Sequence, residues 1–345
     1  MIVTVLLIAL LGCKSTEILT NENNEIMKVT KDMYNKELQG EYGQFRTIIA
    51  MNSTKVGLRI MNGMVRLSKG QKIKGAINKT HFVESSHTQG HKIRIREFRP
   101  AGTENEKIPA MIYFHGGGYM MGIPEMANTF YADVLERRKV AIFSPDYRLS
   151  QKDPFPAGFN DCYDALLWLR DNAETLNIDP NNIIIAGHSA GGGMAAAITL
   201  KARDTKDVTP IFQMPIYPML DHRMITESSK MLGSTMWDGN INKRAWGLYL
   251  RNVQGQVPAY ASPALNEDYS GFPPTISFVG ELEPFFDENV AYIEALKKAS
   301  IPVKFKTFEG GYHGFEVGSP KAEISKEANE FQLTAFEEFY DKYVK

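Results

Sequence analysis

The sequence predicts an α/β fold in which a mostly parallel sheet is flanked by helices. Six short apolar runs alternate with segments whose apolar residues recur at helical spacing. A strand that is buried on both faces is apolar throughout, so these runs are typical of parallel strands between helical layers. The expected strands are residues 110–114, 140–143, 183–186, 211–216, 275–279 and 303–308. Residues 92–98 alternate between polar and apolar side chains, which predicts an additional, edge-like strand.

The composition agrees with a single enzyme-sized domain and excludes several other classes of protein. The 345 residues are 43% hydrophobic and 23% charged, which are ordinary values for a globular protein. Lysine plus arginine (39) nearly balances aspartate plus glutamate (40), so the charge indicates no nucleic-acid partner. The two cysteines allow at most one disulfide, which excludes a disulfide-stapled scaffold. Cys162 lies in an amphipathic segment and is expected to be a buried structural thiol.

The first 28 residues differ from the rest of the chain and predict export. Residues 2–11 are apolar but too few to span a bilayer, as in the hydrophobic part of a signal peptide. The run ends in LLGC, which resembles the lipobox of bacterial lipoproteins and implies a lipid anchor on Cys13 with membrane attachment. No lysine or arginine precedes the run, so an ordinary secretory signal of a secreted or periplasmic protein is the alternative. We therefore expect residues 1–28 to be a signal segment and tether of a bacterial cell-envelope lipoprotein.

Two stretches interrupt the alternation of strands and helices. Residues 29–80 contain scattered apolar residues at helical spacing. Residues 220–258 lie between two expected strands and are rich in methionine and aromatic residues. Both are expected to be additions laid over the sheet of one domain that spans residues 29–345.

A glycine run follows the strand that is expected at residues 110–114. It consists of Gly116, Gly117 and Gly118 and is preceded by His115. Acyl transfer develops negative charge on the reacting carbonyl oxygen, and backbone N–H groups aimed at that oxygen stabilise it. Glycine lets this backbone approach a substrate without a Cβ atom in the way. The run therefore predicts an oxyanion hole.

A Gly-x-Ser-x-Gly motif centred on Ser189 follows the strand that is expected at residues 183–186. A helix rich in alanine comes next, so the motif occupies a turn from strand to helix. In this setting the serine sits on a strained turn with its oxygen exposed, and the helix N-terminus favours negative charge beside it. Ser189 is therefore the expected nucleophile, and the N–H of Ala190 the expected partner of the glycine run. The side chain of His188 is expected to point away from the site.

The serine requires a base, and His313 is the expected one. Of the seven histidines it follows the last expected strand, in a glycine-rich loop that can bring an imidazole over the sheet edge. Its place also satisfies the chain order nucleophile, acid, histidine that accompanies such an elbow. The acid should follow a strand between Ser189 and His313. Four carboxylates follow residues 275–279, and their spacing does not indicate which one is the acid. They are Glu281, Glu283, Asp287 and Glu288.

These motifs together resemble those of the hormone-sensitive-lipase-like esterases, which have the α/β-hydrolase fold. Further matching motifs are Asp-Tyr-Arg-Leu at 146–149, Pro-Phe-Pro-Ala at 154–157, Tyr-Ala-Ser-Pro at 260–263 and Gly-Phe at 314–315. The resemblance extends from about residue 92 to the C-terminus, and it implies that residues 29–80 and 220–258 form a helical cap. Members carry the triad acid first in Asp-Pro-Leu-x-Asp-Glu. Here the pattern begins with Glu283, so the resemblance implies Glu283, a glutamate for an aspartate, with Asp287 as the alternative.

The expected activity is hydrolysis of short- to medium-chain carboxylic esters through an acyl-enzyme. Ser189 attacks, His313 transfers the proton and Glu283 orients the imidazole. The expected partner is a small-molecule ester, and no metal or organic cofactor is expected, because the sequence contains no cluster of histidine, cysteine and aspartate ligands. One alternative is an amide or peptide hydrolase of the same fold. The other is a catalytically inactive binding protein, against which the intact Ser189 and His313 argue.

Overall fold

The computed structural model describes residues 27–44 and 54–345, in which eight strands form one sheet. The strands are β1 (Ala76–Glu84), β2 (Lys92–Pro100), β3 (Ile108–Phe114), β4 (Ala141–Asp146), β5 (Ile178–His188), β6 (Phe212–Ile216), β7 (Thr275–Leu282) and β8 (Val303–Tyr312). Their order across the sheet is β1-β2-β4-β3-β5-β6-β7-β8. The strands from β3 to β8 run parallel, and β2 is antiparallel to both of its neighbours. Each of the six predicted runs lies within one of the strands β3 to β8, except that two runs begin one residue before the strand. Several strands extend beyond the predicted run.

One helix precedes the sheet, and the others connect the parallel strands or follow the last one. They are α1 (Lys55–Arg66), α2 (Asn128–Arg137), α3 (Ala157–Asp171), α4 (Ala190–Thr205), α5 (Gly239–Tyr249), α6 (Phe286–Lys298), the single turn α7 (Phe315–Gly318) and α8 (Glu323–Tyr343). Two short 3-10 turns, Lys31–Met33 and Lys36–Glu41, precede them. This alternation of strand and helix confirms the predicted α/β fold with a mostly parallel sheet.

The core lies on both faces of the sheet. Successive strand residues point to opposite faces, and in β3 Ile112 belongs to one buried cluster while Met111 belongs to the other. The first cluster includes residues of α3 and α4, and the second includes residues of α2 and α8. Because both faces are covered, β3 is buried along its whole length. This is the physical reason that the central strands are continuous apolar runs in the sequence.

Strand β2 is not an edge strand, contrary to the sequence-based prediction. Strand β1, which the sequence analysis did not predict, pairs with all nine residues of β2 and begins inside the segment that was expected to be a cap. Arg94 and Arg96 of β2 are buried because they form ion pairs. Arg94 donates two hydrogen bonds of 2.8 Å to Glu125, and Arg96 Nε lies 3.2 Å from the same carboxylate. Strand β1 was missed because it has few apolar residues and its side chains are half-buried or exposed.

The predictions for the N-terminus concern residues that the structure does not describe. The apolar run and Cys13 lie outside the described residues, so lipidation of Cys13 stays a prediction, as does the extent of the cap. Within residues 27–44 and 54–345, no helix combines the length and apolar character that crossing a membrane requires. Cys162 is fully buried in α3, as expected, and burial raises the pKa of its thiol.

Candidate active site

Ser189 occupies the sharp turn between β5 and α4. Its φ of 60° and ψ of −124° form a conformation that few residues other than glycine adopt, at a cost of about 1–3 kcal/mol. The neighbouring glycines make room for this turn. A Cβ atom at Gly187 would lie 2.2 Å from the carbonyl oxygen of Gly191, and one at Gly191 would lie 2.0 Å from that of Phe114. The Gly-x-Ser-x-Gly motif is therefore required sterically at this junction.

Three of the residues predicted to be catalytic are joined by hydrogen bonds. His313 Nε2 lies 2.8 Å from Ser189 Oγ, and His313 Nδ1 makes a short contact with Glu283 Oε2. Glu283 is completely buried, whereas Ser189 and His313 are each 7% exposed. Burial raises the pKa of Glu283, and the interaction with His313 opposes that rise. The arrangement is that of a nucleophile, a base and an acid that orients the base.

The register of the sheet explains why Glu283 rather than Asp287 lies beside His313. Strands β7 and β8 are parallel neighbours, and Leu282 pairs with Tyr312 at their ends. Glu283 and His313 directly follow these two paired residues, so they lie side by side. Asp287 lies in the first turn of α6, where its carboxylate accepts a hydrogen bond of 2.9 Å from the N–H of Ser228.

The glycine loop lies against the nucleophile because β3 and β5 are neighbours in the sheet. A Cβ atom at Gly116 would lie 3.4 Å from the Cβ of Ser189. Gly117 and Gly118 have φ values of 115° and 59°, which glycine adopts readily. Among the described residues, neither of their N–H groups has a hydrogen-bond acceptor. Ala190 is the first residue of α4, so its N–H is one of those without an intrahelical partner.

Two other histidines near the turn have structural partners of their own. His188 points away from Ser189, as expected, and lies 2.8 Å from the Tyr113 hydroxyl and 3.0 Å from the Gln332 side chain. Burial lowers the pKa of His188 to about 4, so this imidazole is neutral near pH 7. His115 stacks on a tyrosine ring at 4.1 Å, and burial lowers its pKa as well.

Both additions to the sheet contact the loop that contains the glycine run. From α1, Asn62 donates a hydrogen bond of 3.1 Å to the carbonyl of Met120 and accepts one of 3.3 Å from the N–H of Gly122. Trp237, from the segment 220–258, lies so close to Gly118 that a Cβ atom there would be 2.2 Å from its ring. The two additions, which are far apart in the chain, therefore both contact the loop.

The sequence analysis did not identify the residues that surround the imidazole of His313. The rings of Tyr217, Phe285 and Trp237 lie 5.0, 5.1 and 6.1 Å from the imidazole. Tyr217 and Phe285 come shortly after β6 and β7, so their position at strand ends was the available signal. Within the described residues, no group of three or more histidine, cysteine, aspartate or glutamate side chains is arranged to hold a metal ion.

The fold and the geometry of the site define a hydrolase with a serine nucleophile elbow. A family model described as the alpha/beta hydrolase fold matches residues 111–317, and the chain belongs to this family, in its hormone-sensitive-lipase-like branch. This confirms the resemblance that the motifs predicted.

Individual relatives agree with the family assignment. The chain is 31% identical to an AB hydrolase superfamily protein of Schizosaccharomyces pombe over 259 residues, which are 70% of this chain and 74% of the relative. It is 31% identical to a carboxylesterase of Mycobacterium tuberculosis over 226 residues, 63% of this chain and 70% of the relative. Among solved structures it is similar to a bacterial heroin esterase, with a TM-score of 0.81 and 28% identity, over 90% of this chain and 99% of that one.

Proposed function

We propose that this protein is a serine carboxylesterase that hydrolyses short- to medium-chain esters through an acyl-enzyme. The observation that carries the proposal is the 2.8 Å separation of Ser189 Oγ and His313 Nε2, with Glu283 on the other ring nitrogen. Similarity to a carboxylesterase and to a heroin esterase supports an ester as the substrate.

The first half-reaction transfers the acyl group to the enzyme. Ser189 Oγ attacks the ester carbonyl carbon while its proton passes to Nε2 of His313. The carbonyl oxygen becomes an oxyanion, for which the free N–H groups of Gly117, Gly118 and Ala190 are the donors. The intermediate then collapses, the bond to the alkoxide oxygen breaks, and the imidazolium returns the proton to that oxygen. The alcohol leaves, and the acyl group stays on Ser189.

The second half-reaction repeats these steps with water. A water molecule attacks the acyl carbon and gives one proton to His313, and collapse of the intermediate returns that proton to Ser189 Oγ. The carboxylic acid is released and the enzyme is regenerated. Glu283 is placed to hold Nδ1 of His313 in its protonated tautomer and to stabilise the imidazolium in both halves.

The surroundings of Ser189 support a preference for small acyl groups. The serine is only 7% exposed, and Trp237 lies directly against Gly118. The rings of Tyr119 and Tyr249 stack at 4.1 Å, with Trp246 beside them at 5.8 and 6.1 Å. Because Tyr119 directly follows the glycine run, we expect these large, packed side chains to leave little room for a long acyl chain.

A chromogenic ester series with acyl chains from two to sixteen carbons tests the proposal. We expect kcat/KM to be highest between acetyl and about octanoyl esters and low on emulsified triglyceride. Matched anilides of the best acyl group measure amide hydrolysis, which should be slower by orders of magnitude. Equal or faster cleavage of the anilides, or strong activation by a long-chain lipid interface, would contradict the proposed substrate class.

We also propose that residues 1–28 direct export and that Cys13 carries a lipid anchor, as in a bacterial cell-envelope lipoprotein. The support is the apolar run that ends in LLGC. Because stable anchoring takes more than one acyl chain, a fully lipidated Cys13 should hold the protein in the detergent phase of a detergent–water partition. Cys13→Ala should move it to the aqueous phase, whereas Cys162→Ala, at the other cysteine, should not. If wild type and Cys13→Ala partition alike, a plain signal peptide is the better account.

A further inference from the structure

The ring of Tyr217 lies between the imidazole rings of His313 and His188. Its ring meets that of His313 edge to face at 5.0 Å and that of His188 edge to face at 5.4 Å. Tyr217 follows β6 with a φ of 33°, a left-handed conformation that is unusual for an aromatic residue. Its N–H donates a hydrogen bond of 3.0 Å to the carbonyl of Phe278 in the neighbouring strand. The two ring contacts and the backbone hydrogen bond therefore fix the position of the Tyr217 ring against His313.

The hydroxyl of Tyr217 donates a short hydrogen bond to Glu316 Oε1. Glu316 lies in α7, three residues after His313, and is 2% exposed. Its second oxygen, Oε2, is buried and has no hydrogen-bond partner among the described residues. The proposed mechanism gives this carboxyl group no role, and burying a carboxylate without a cation is unfavourable.

The groups that surround Glu316 come from several neighbouring elements. The titratable ones are Glu283 after β7, His313 after β8, Tyr312 in β8 and Tyr113 in β3, besides Tyr217 itself. The buried residues of α8, which packs on α7, include the neutral Ile324, Ser325, Ala328 and Gln332. The imidazole of His313 is thus the group among these that can carry a positive charge towards Glu316.

We propose that Tyr217 and Glu316 are positioning residues for His313. The Tyr217 ring holds the imidazole, and Glu316, when ionised, supplies a second negative charge that stabilises the imidazolium formed in each proton transfer. This inference rests on the proposed serine-esterase function, because it concerns the base of that reaction.

The charge on Glu316 changes within the working range of the enzyme. Burial raises the pKa of Glu316 to about 7, and the hydrogen bond from Tyr217 opposes that rise. Glu316 is therefore mostly neutral at pH 6 and mostly ionised above pH 8. Because coupling between two sites is reciprocal, an anion that favours the imidazolium is in turn favoured by it. The advantage that Glu316 gives to catalysis should consequently appear only as pH rises through 7.

Glu316→Gln separates this role from simple packing. Glutamine keeps the size of the side chain and an oxygen that accepts from Tyr217, but it has no charge at any pH. We expect kcat/KM of Glu316→Gln to equal that of wild type at pH 6 and to be about 3- to 10-fold lower at pH 8.5, the range for screened charges in a protein interior.

Tyr217→Phe and the double variant give an independent check. Phenylalanine keeps the ring against His313 but removes the hydrogen bond that favours ionised Glu316. The kcat/KM of Tyr217→Phe should therefore be lower than that of wild type near pH 7.5, and the difference should diminish above pH 9. The double variant should behave like Glu316→Gln alone. Tyr131→Phe is the matched control: it removes a buried hydroxyl that donates to Ser144 Oγ at 3.0 Å, and its ratio to wild type should not depend on pH.

The outcomes distinguish this inference from the proposed function. Ser189→Ala is measured in the same assay and should be inactive at every pH. If it is inactive but the ratio of Glu316→Gln to wild type is the same from pH 6 to 8.5, the positioning role is overturned while the esterase stands. If Ser189→Ala is fully active, the proposed mechanism itself fails. Thermal unfolding of each variant identifies any loss of folded protein, which would lower activity equally at all pH values.

Discussion

Changing Glu283 should damage catalysis either by replacing the charged carboxylate or by withdrawing it from His313. Glutamine has the same length but cannot hold Nδ1 in the same way, so we expect Glu283→Gln to lower kcat by about 10⁴, as when the acid of a triad becomes an amide. Aspartate is one methylene shorter, and in the present backbone its carboxylate would retreat by roughly 1.5 Å. Misplacement by about 1 Å costs about 10²-fold, so Glu283→Asp should lose about 10²-fold in kcat.

Asp287→Asn is the matched control, because Asp287 was the alternative acid. Its carboxylate accepts a hydrogen bond from the N–H of Ser228 and lies in the first turn of α6. The loss should therefore be about 1 kcal/mol of unfolding free energy with kcat nearly unchanged. The assay is steady-state hydrolysis of a chromogenic acetyl ester, with denaturant unfolding for stability. If Asp287→Asn loses as much kcat as Glu283→Gln, the assignment of the acid from the strand register is wrong.

Three further predictions concern the elbow, the nucleophile and a buried histidine. Ser189→Ala and His313→Ala should each lower kcat by about 10⁶ if they act as a unit, and mass spectrometry should find a serine-directed phosphonate on Ser189; labelling elsewhere would contradict the mechanism. Gly191→Ala should fail to fold stably, since its Cβ would lie 2.0 Å from a carbonyl oxygen; a Tm equal to wild type would show that the turn can relax. His188 has a pKa of about 4 because it is buried, below the unfolded value of about 6.5, so its contribution to stability is complete above pH 6.5 and is lost as pH falls towards 4. Denaturant unfolding at pH 7 and 4 should show wild type losing about 3 kcal/mol more than His188→Asn. Equal losses would mean that folding does not lower the pKa of His188.

Short-range patterns in the sequence were sufficient for the six parallel strands and for two candidate catalytic residues. Strands β3, β4 and β6 could be predicted because each is buried on both faces, which makes its residues mainly apolar. Ser189 could be predicted because the turn that exposes it excludes a Cβ at the neighbouring glycines. His313 could be predicted because few histidines lie after the last strand. These are constraints that act over a few residues, so they leave a direct trace in the sequence.

Features that depend on which strands are neighbours required the tertiary structure. The alternating pattern of β2 was interpreted as an edge strand, yet Arg94 and Arg96 are buried by pairing with Glu125, a partner about thirty residues away in the chain. The choice of Glu283 over Asp287 follows from the pairing of Leu282 with Tyr312, which no local spacing reveals. Tyr217 and Glu316 meet across 99 residues of sequence.

The sequence by itself determined the fold class, and it predicted Ser189, His313 and the glycine loop as parts of the candidate site, because each depends on local sterics or on periodic burial. Only the tertiary structure decided which carboxylate lies beside His313, which strand pairs with the polar strand β2 and which charges surround His313. A carboxylate becomes an acid of this site, rather than a helix cap or a surface charge, through the backbone that places it within hydrogen-bond distance of the imidazole. That distance is set by pairing between strands that are far apart in the chain.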